Sequence, residues 1–267
     1  MSNETTSAAT VAGAKILAIT SGKGGVGKTF VAANLAAALV RRGKKVLLLD
    51  ADLGLANLDI IFNLRPTVTL HDVLTGRATL DEAVLMAPCG IALLPAASGL
   101  VEYSRLTGEV QDELRAVIAD LGRRYDYVLL DTGAGISDLV LFTASLAQDV
   151  LVVVTPEPTS IADAYGTVKI LAMLQKRQDF RIVINQVKNA TEGARIASQL
   201  QTVANRFLTT QLGMELKLQH MGDIPLDPAV PDAVRKRKLL LEVLPGAPAA
   251  RAVTALAAAL DAVSSSW

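Results

Sequence analysis

The amino-acid sequence predicts an α/β protein built on a mostly parallel, twisted sheet covered by helices on both faces. Three observations carry that prediction. Short apolar runs recur between helical patterns along the chain, as expected of strands buried on both faces and joined by right-handed helical crossovers. A glycine-rich loop, residues 22–29 (GKGGVGKT), separates the first run from the first helical pattern. Acidic residues close two later runs, at the strand C-terminal ends where open parallel sheets bind ligands.

Taken in order, residues 1–13 (MSNETTSAATVAG) are small, polar and without period, so a flexible tail is expected there. A single domain is expected over 14–264. Residues 15–20 (KILAIT) read as a short buried strand, and 29–40 (TFVAANLAAALV) have helical length and propensity. The loop between them matches G-x-x-x-x-G-K-[ST]. Small residues let successive backbone N–H groups curl around phosphate oxygens at a helix N-terminus, Lys28 brings a point charge, and the Thr29 hydroxyl is placed to ligate magnesium. The expected phosphate-binding set is Gly22, Lys23, Gly24, Gly25, Val26, Gly27, Lys28, Thr29 and Phe30, and the expected ligand is a nucleoside triphosphate. One lysine suffices within a subunit, so Lys23 is expected to reach across an interface.

Further strands are predicted at 45–49, 91–94, 127–130, 150–155, 181–185 and 216–221, with a proline-rich loop over 225–231. Hydrolysis needs groups that hold magnesium and place a water in line with the γ-phosphate. In residues 47–59 (LLLDADLGLANLD), Asp50 ends a strand and Asp52 follows with the same side-chain direction. In residues 127–138 (YVLLDTGAGISD), Asp131 closes a strand ahead of Gly133 and Gly135. Asn185 ends another strand, and its amide offers adenine both a donor and an acceptor.

Composition excludes several classes. With 267 residues and 51% hydrophobic content the chain buries a large core. Lysine plus arginine, 26, equals aspartate plus glutamate, 26, so no global field attracts nucleic acid, and no sequence-specific nucleic-acid partner is expected. The run Arg235–Lys238 (RKRK) is read as a solvated helix face, with DNA, lipid or a partner as the other readings. The lone Cys89 and the absence of a charged-then-apolar leader point to a cytoplasmic protein, and no apolar run approaches the ~18 residues of a membrane span. His71 and His220 have no metal-ligand spacing.

With Lys23 inside it, the loop resembles the deviant Walker A motif of the MinD and ParA superfamily of P-loop NTPases. That resemblance implies an ATP-dependent homodimer in which the signature lysine contacts the nucleotide of the opposite subunit, with ATP/ADP and Mg2+ as cofactors. It assigns catalytic roles to Lys23, Lys28 and Asp52, the last orienting or activating the attacking water in switch I. It makes Thr29, Asp50 and Asp131 the metal-site residues, Asp50 and Asp131 acting through magnesium-bound water. Residues 222–227 (GDIPLD) resemble the segment packed around adenine, which adds Pro225 and Asp227 to Asn185 as base contacts. Asp163 is placed near the dimer surface.

Residues 50–64, 93–99 and 157–171 narrow the resemblance to the flagellar-number regulators, the FlhG/FleN family. This implies a slowly turning ATP hydrolase that regulates flagellar number or placement, with a flagellar transcription activator and a polar GTPase as partners, and leaves peripheral contact with the inner membrane or cell pole open. A ParA-like DNA-associated segregation ATPase and a cellulose-synthesis accessory ATPase are the alternatives. Two departures stand out: the tail lacks a basic DQAxxLR-like element, and 249–263 is alanine-dominated where relatives carry a basic amphipathic helix. Core packing is therefore expected of that helix. An electron-transferring iron protein needs more cysteine than this chain has.

Overall fold

The computed structural model describes residues 13–52, 56–96, 106–210, 213 and 215–264. The expected tail over 1–12, the segment 53–55 between Asp52 and Ala56, residues 97–99 of the family-like stretch 93–99, and the end at 265–267 lie outside the described residues. In chain order the strands are β1 (Lys15–Ser21), β2 (Val46–Ala51), β3 (Leu85–Ala87), β4 (Ile91–Leu94), β5 (Tyr127–Ala134), β6 (Asp149–Val154), β7 (Asp179–Val187) and β8 (Lys217–Pro225). The helices are α1 (Lys28–Arg41), α2 (Leu58–Phe62), α3 (Leu70–Leu74), α4 (Leu80–Ala83), α5 (Gly108–Arg124), α6 (Asp138–Ser145), α7 (Pro158–Gln175), α8 (Ala190–Ala204), α9 (Ala229–Arg235), α10 (Leu240–Val243) and α11 (Pro248–Ser264).

The strands form one sheet in the order β3-β4-β2-β5-β1-β6-β7-β8. All neighbours are parallel except β3, which runs antiparallel to β4. The strand carrying the glycine loop is thus central, between β5 and β6. Alternation sends Ala18, Leu49, Leu130, Val152 and Ile184 to one face, under α5, α7 and α8. Leu17, Ile19, Leu48, Leu129 and Val153 go to the other face, under α1 and α11. Burial on both faces explains why the strands read as continuous apolar runs. In α1 the alanines at 32, 33, 36, 37 and 38 are all buried, which lets the helix lie close to the sheet and to α11.

The structure corrects the sequence reading in three places. A short antiparallel edge strand, β3, was not expected, because three residues carry no period. The last strand does not stop at Met221: Gly222, at φ 139°, sits at a register shift against β7, and pairing then resumes through Pro225. The stretch 225–231 is not all loop, since α9 starts at Ala229 and takes Pro231 into its first turn. Proline is tolerated there because the first-turn N–H groups have no intrahelical partner.

The alanine-rich C-terminal helix is a core element. Ala249, Ala250, Val253, Leu256, Ala257 and Leu260 are buried against α1 and the sheet. Residues Lys236–Lys238 form an exposed turn after α9, with Arg237 at φ 52°, so only Arg235 of the basic run is helical. Among the described residues no helix is long and apolar enough to cross a membrane.

Candidate nucleotide site

The glycine loop turns from the end of β1 into α1 through two left-handed residues, Gly25 (φ 79°) and Gly27 (φ 88°). Gly27 is the N-cap of α1 and offers no side-chain oxygen, so the first N–H groups of the helix stay available to an anion. Two glycines are also required by close approach. A Cβ on Gly22 would lie 2.2 Å from the backbone carbon of Asp163 in α7, and one on Gly27 would lie 2.3 Å from Asn185 Nδ2. The loop is therefore clamped between the first turns of α7 and the end of β7.

A cavity of about 610 Å³ opens in front of the loop, walled by Lys23, Lys28, Thr29 and Phe30, by Asp52 and Asn57 after β2, by Gly133 near the end of β5, and by Ser137 and Val140 after it. Of the strand-end acids Asp52 is on this wall, while Asp50 and Asp131 are buried and off it. Lys28 Nζ donates to Asp131 Oδ1 at 2.7 Å, with side chains only 10% and 3% exposed. Asp50 spends both oxygens on backbone: Oδ1 accepts from Asp52 N at 3.2 Å, and Oδ2 from Asn57 N and Leu58 N at 3.0 and 3.1 Å. It thereby ties Asp52 and the start of α2 to the end of β2.

Electrostatics single out the two buried carboxyls. Burial, and next the Asp131 carboxylate, push Asp50 up to about 7, against the pull of its three N–H donors. Burial likewise raises Asp131, while Lys28 and Thr29 oppose the rise. Two acids that repel each other beside a phosphate-binding loop fit a hard divalent cation, which would relieve both penalties. Among the described residues no three acidic, histidine or cysteine side chains are grouped to hold an ion by themselves. The residues therefore suit magnesium brought in with phosphate oxygens and water rather than a resident metal.

Asp52 is half-buried on the cavity wall, and its Oδ1 lies 3.5 Å from where a Cβ of Gly133 would stand, so the chain after β2 and the end of β5 meet at this carboxylate. Lys23 turns the other way. Its Nζ meets Glu157 Oε2 at 2.6 Å and Thr159 Oγ1 at 3.1 Å, at the start of α7. Asp163 is exposed on α7, two turns into the helix, where its backbone touches Gly22.

The expected base contacts are engaged elsewhere. Asn185 Nδ2 donates to Val26 O at 2.8 Å and its Oδ1 accepts from Gln186 N at 2.9 Å, so the amide braces the loop. Pro225 ends β8, and Asp227 caps two helices through Ala229 N and Ala249 N. None of the three is on the cavity wall. Sequence reading missed Asn57, Ser137, Glu157 and Thr159. Ser137, which caps α6 by accepting from Val140 N, had a helix-start signature, whereas the others reach the site only through tertiary packing.

Sheet order, loop and strand-end acids together define an α/β nucleotide-binding protein of the P-loop class. Residues 17–240 match the model of the CobQ/CobB/MinD/ParA nucleotide binding domain, and the chain belongs to that family. It is 40% identical over 247 residues, 92% of this chain and 86% of the relative, to the antiactivator FleN of Pseudomonas aeruginosa. It is 35% identical over 235 residues, 86% of this chain and 76% of the relative, to the flagellum site-determining protein YlxH of Helicobacter pylori. Among solved structures it is similar to the septum site-determining protein MinD complexed with Mg-ADP from Pyrococcus horikoshii, with TM-score 0.76 and 27% identity over 94% of this chain and 97% of the other.

Proposed function

We propose that this protein is a magnesium-dependent ATPase that dimerises with ATP and, as a nucleotide-timed switch, sets flagellar number or placement through partner proteins. The observation that carries the reading is the joint presence, on the wall of one cavity, of two loop lysines with opposite engagements and the Asp52 carboxylate. Lys28 and the α1 N-terminus hold the phosphates. Thr29, Asp50 and Asp131 would hold magnesium, which supplies charge neutralisation at the phosphates when bound. Asp52 orients the attacking water. Lys23 leaves Glu157 and Thr159 to meet the nucleotide of the second subunit.

Its exposed ion pair, 39% and 61% exposed, is weak enough to release. Names of relatives support the flagellar role: an antiactivator points to an activator as one partner, and a flagellum site-determining protein points to flagellar placement. A polar GTPase is the second expected partner, and slow turnover without partners follows from a switch whose site is completed by a second copy.

Light scattering of the Asp52→Ala protein with magnesium and either ATP or ADP tests the switch. Doubled mass with ATP alone, abolished by Lys23→Ala, supports it; mass indifferent to nucleotide overturns it in favour of a monomeric P-loop enzyme. For the flagellar role, deletion of the gene is expected to change flagellar number. Unchanged flagellation with lost plasmid maintenance or cellulose production would assign the switch to another process.

A further inference from the structure

The turn that closes α9 holds cations where folding alone favours other residues. The Lys238 N–H donates to Ala233 O at 3.1 Å and the Arg237 N–H to Val234 O at 2.9 Å, the paired closure of a Schellman motif. Such a motif puts the residue after the helix cap in the left-handed region, usually as glycine, and here that residue is Arg237 at φ 52°. The next position, which often packs an apolar side chain back onto the helix, holds Lys238. Two positions suited to glycine and to an apolar residue therefore carry charge that the fold by itself does not call for.

Arg235, Lys236, Arg237 and Lys238 are all exposed. Asp232 pairs with Arg235, and among the described residues the side chains of the other three have neither an ion pair nor a hydrogen bond. The dipole of a seven-residue helix favours a cation in its last turn, which accounts for Arg235 but not for three more beyond it. In a chain of zero net charge this is a local excess. Aliphatic groups accompany it: Val234, 45% exposed, shares a side of α9 with the half-buried Val230, and Leu226, 64% exposed, precedes the helix. From 226 to 239 the exposed side chains are cations, aliphatic groups, prolines and Asp232, with no hydroxyl, amide or aromatic of the kind that fixes a nucleic acid by its sugars and bases. Cations set among aliphatic side chains suit an anionic bilayer, where the charged heads meet lipid phosphates while their stems and the apolar groups enter the headgroup layer.

We propose that the end of α9 and its basic turn form a docking surface for an anionic lipid bilayer, independent of the nucleotide switch. The test is co-sedimentation with vesicles of mixed phosphatidylglycerol and phosphatidylcholine, and with vesicles of phosphatidylcholine alone. The protein is saturated with magnesium and ADP so that its nucleotide state is fixed. Binding to the first vesicles alone is expected, weakening as salt is added. Lys236→Gln and Lys238→Gln should each weaken it about fivefold, and together about twentyfold or more. Val234→Ser should weaken it without altering the salt dependence, since no charge is removed. Arg237→Gly separates docking from folding: the urea midpoint should rise, because glycine takes the left-handed position without strain, while vesicle affinity falls about fivefold. All these variants lie off the nucleotide cavity and should bind ADP as the unmodified protein does. Failure to sediment with the anionic vesicles, equal partition to both kinds, or an affinity of the double glutamine variant within about twofold of the unmodified protein overturns the proposal. So does retention of mixed-sequence duplex DNA by a protein that ignores the anionic vesicles, which would make the turn a nucleic-acid surface.

Discussion

Asp227 accepts the backbone N–H groups of Ala229 and Ala249 at 2.9 and 3.0 Å, and so fastens the start of α9 to the first turn of α11. From sequence alone an aspartate after a strand reads the same whether it caps helices or touches a base, because both uses require a short acceptor at a chain reversal. Replacing the buried carboxylate separates the two. Asp227→Ala is expected to lower stability by about 2–4 kcal/mol in urea unfolding, with Asp227→Asn losing less because one acceptor remains. If the side chain reads adenine as well, the folded Ala variant will also lose its preference for ADP over GDP in calorimetry. Preference retained with stability lost would confine Asp227 to capping. Lys28, Thr29 and Asp131 were legible without structure, since the phosphate loop and the strand end fix their positions by spacing. Glu157 and Thr159 were not, because their meeting with Lys23 spans more than 130 residues and depends on α7 resting on Gly22.

At the scale of elements, the buried parallel strands announced themselves because each is a compact apolar run, whereas β3 and α9 are short and carry proline or polar neighbours that read as turns. The C-terminal helix is the instructive case. Its alanines give little amphipathic contrast, yet a stripe from Ala249 through Val253, Leu256 and Leu260 is buried while Arg251, Thr254 and Ala255 face solvent. Among the described residues the exposed side thus has no large apolar residue to offer a bilayer, and the apolar side is already committed to α1 and the sheet. Asp261 adds a polar lock at the far end, bonded to Arg42, Lys44 and the Tyr127 hydroxyl. Leu256→Ala is accordingly expected to cost about 2–5 kcal/mol of stability by urea unfolding, with Mg-ATP affinity of the folded protein unchanged. Ala255→Glu on the opposite side should stay within about 0.5 kcal/mol. A near-neutral Leu256→Ala would show that the helix is detachable and return membrane targeting to consideration.

For the molecule as a whole, balanced charge means that pH acts through particular sites rather than through global repulsion. The dominant one is the acid pair at the nucleotide cavity. Asp50 has an ordinary value of 3.8 and is pushed up to about 7 in the fold, chiefly by burial. Between these values the unfolded chain has released the proton and the native protein retains it. The contribution to stability therefore falls as pH rises through that window and is level above about 7. Asp131 shifts in the same direction, and the two titrate as a pair. Urea unfolding of nucleotide-free protein from about pH 5 to about pH 8, compared with Asp50→Asn, isolates this contribution. The native chain should lose stability relative to the variant as pH rises to about 7, then run parallel to it. Magnesium with ADP should flatten the difference, because a cation near the pair favours the charged forms and removes the reason to hold the proton. Parallel curves throughout would mean that Asp50 is ionised in the fold without a cation, and that its three backbone donors, rather than burial, set its charge.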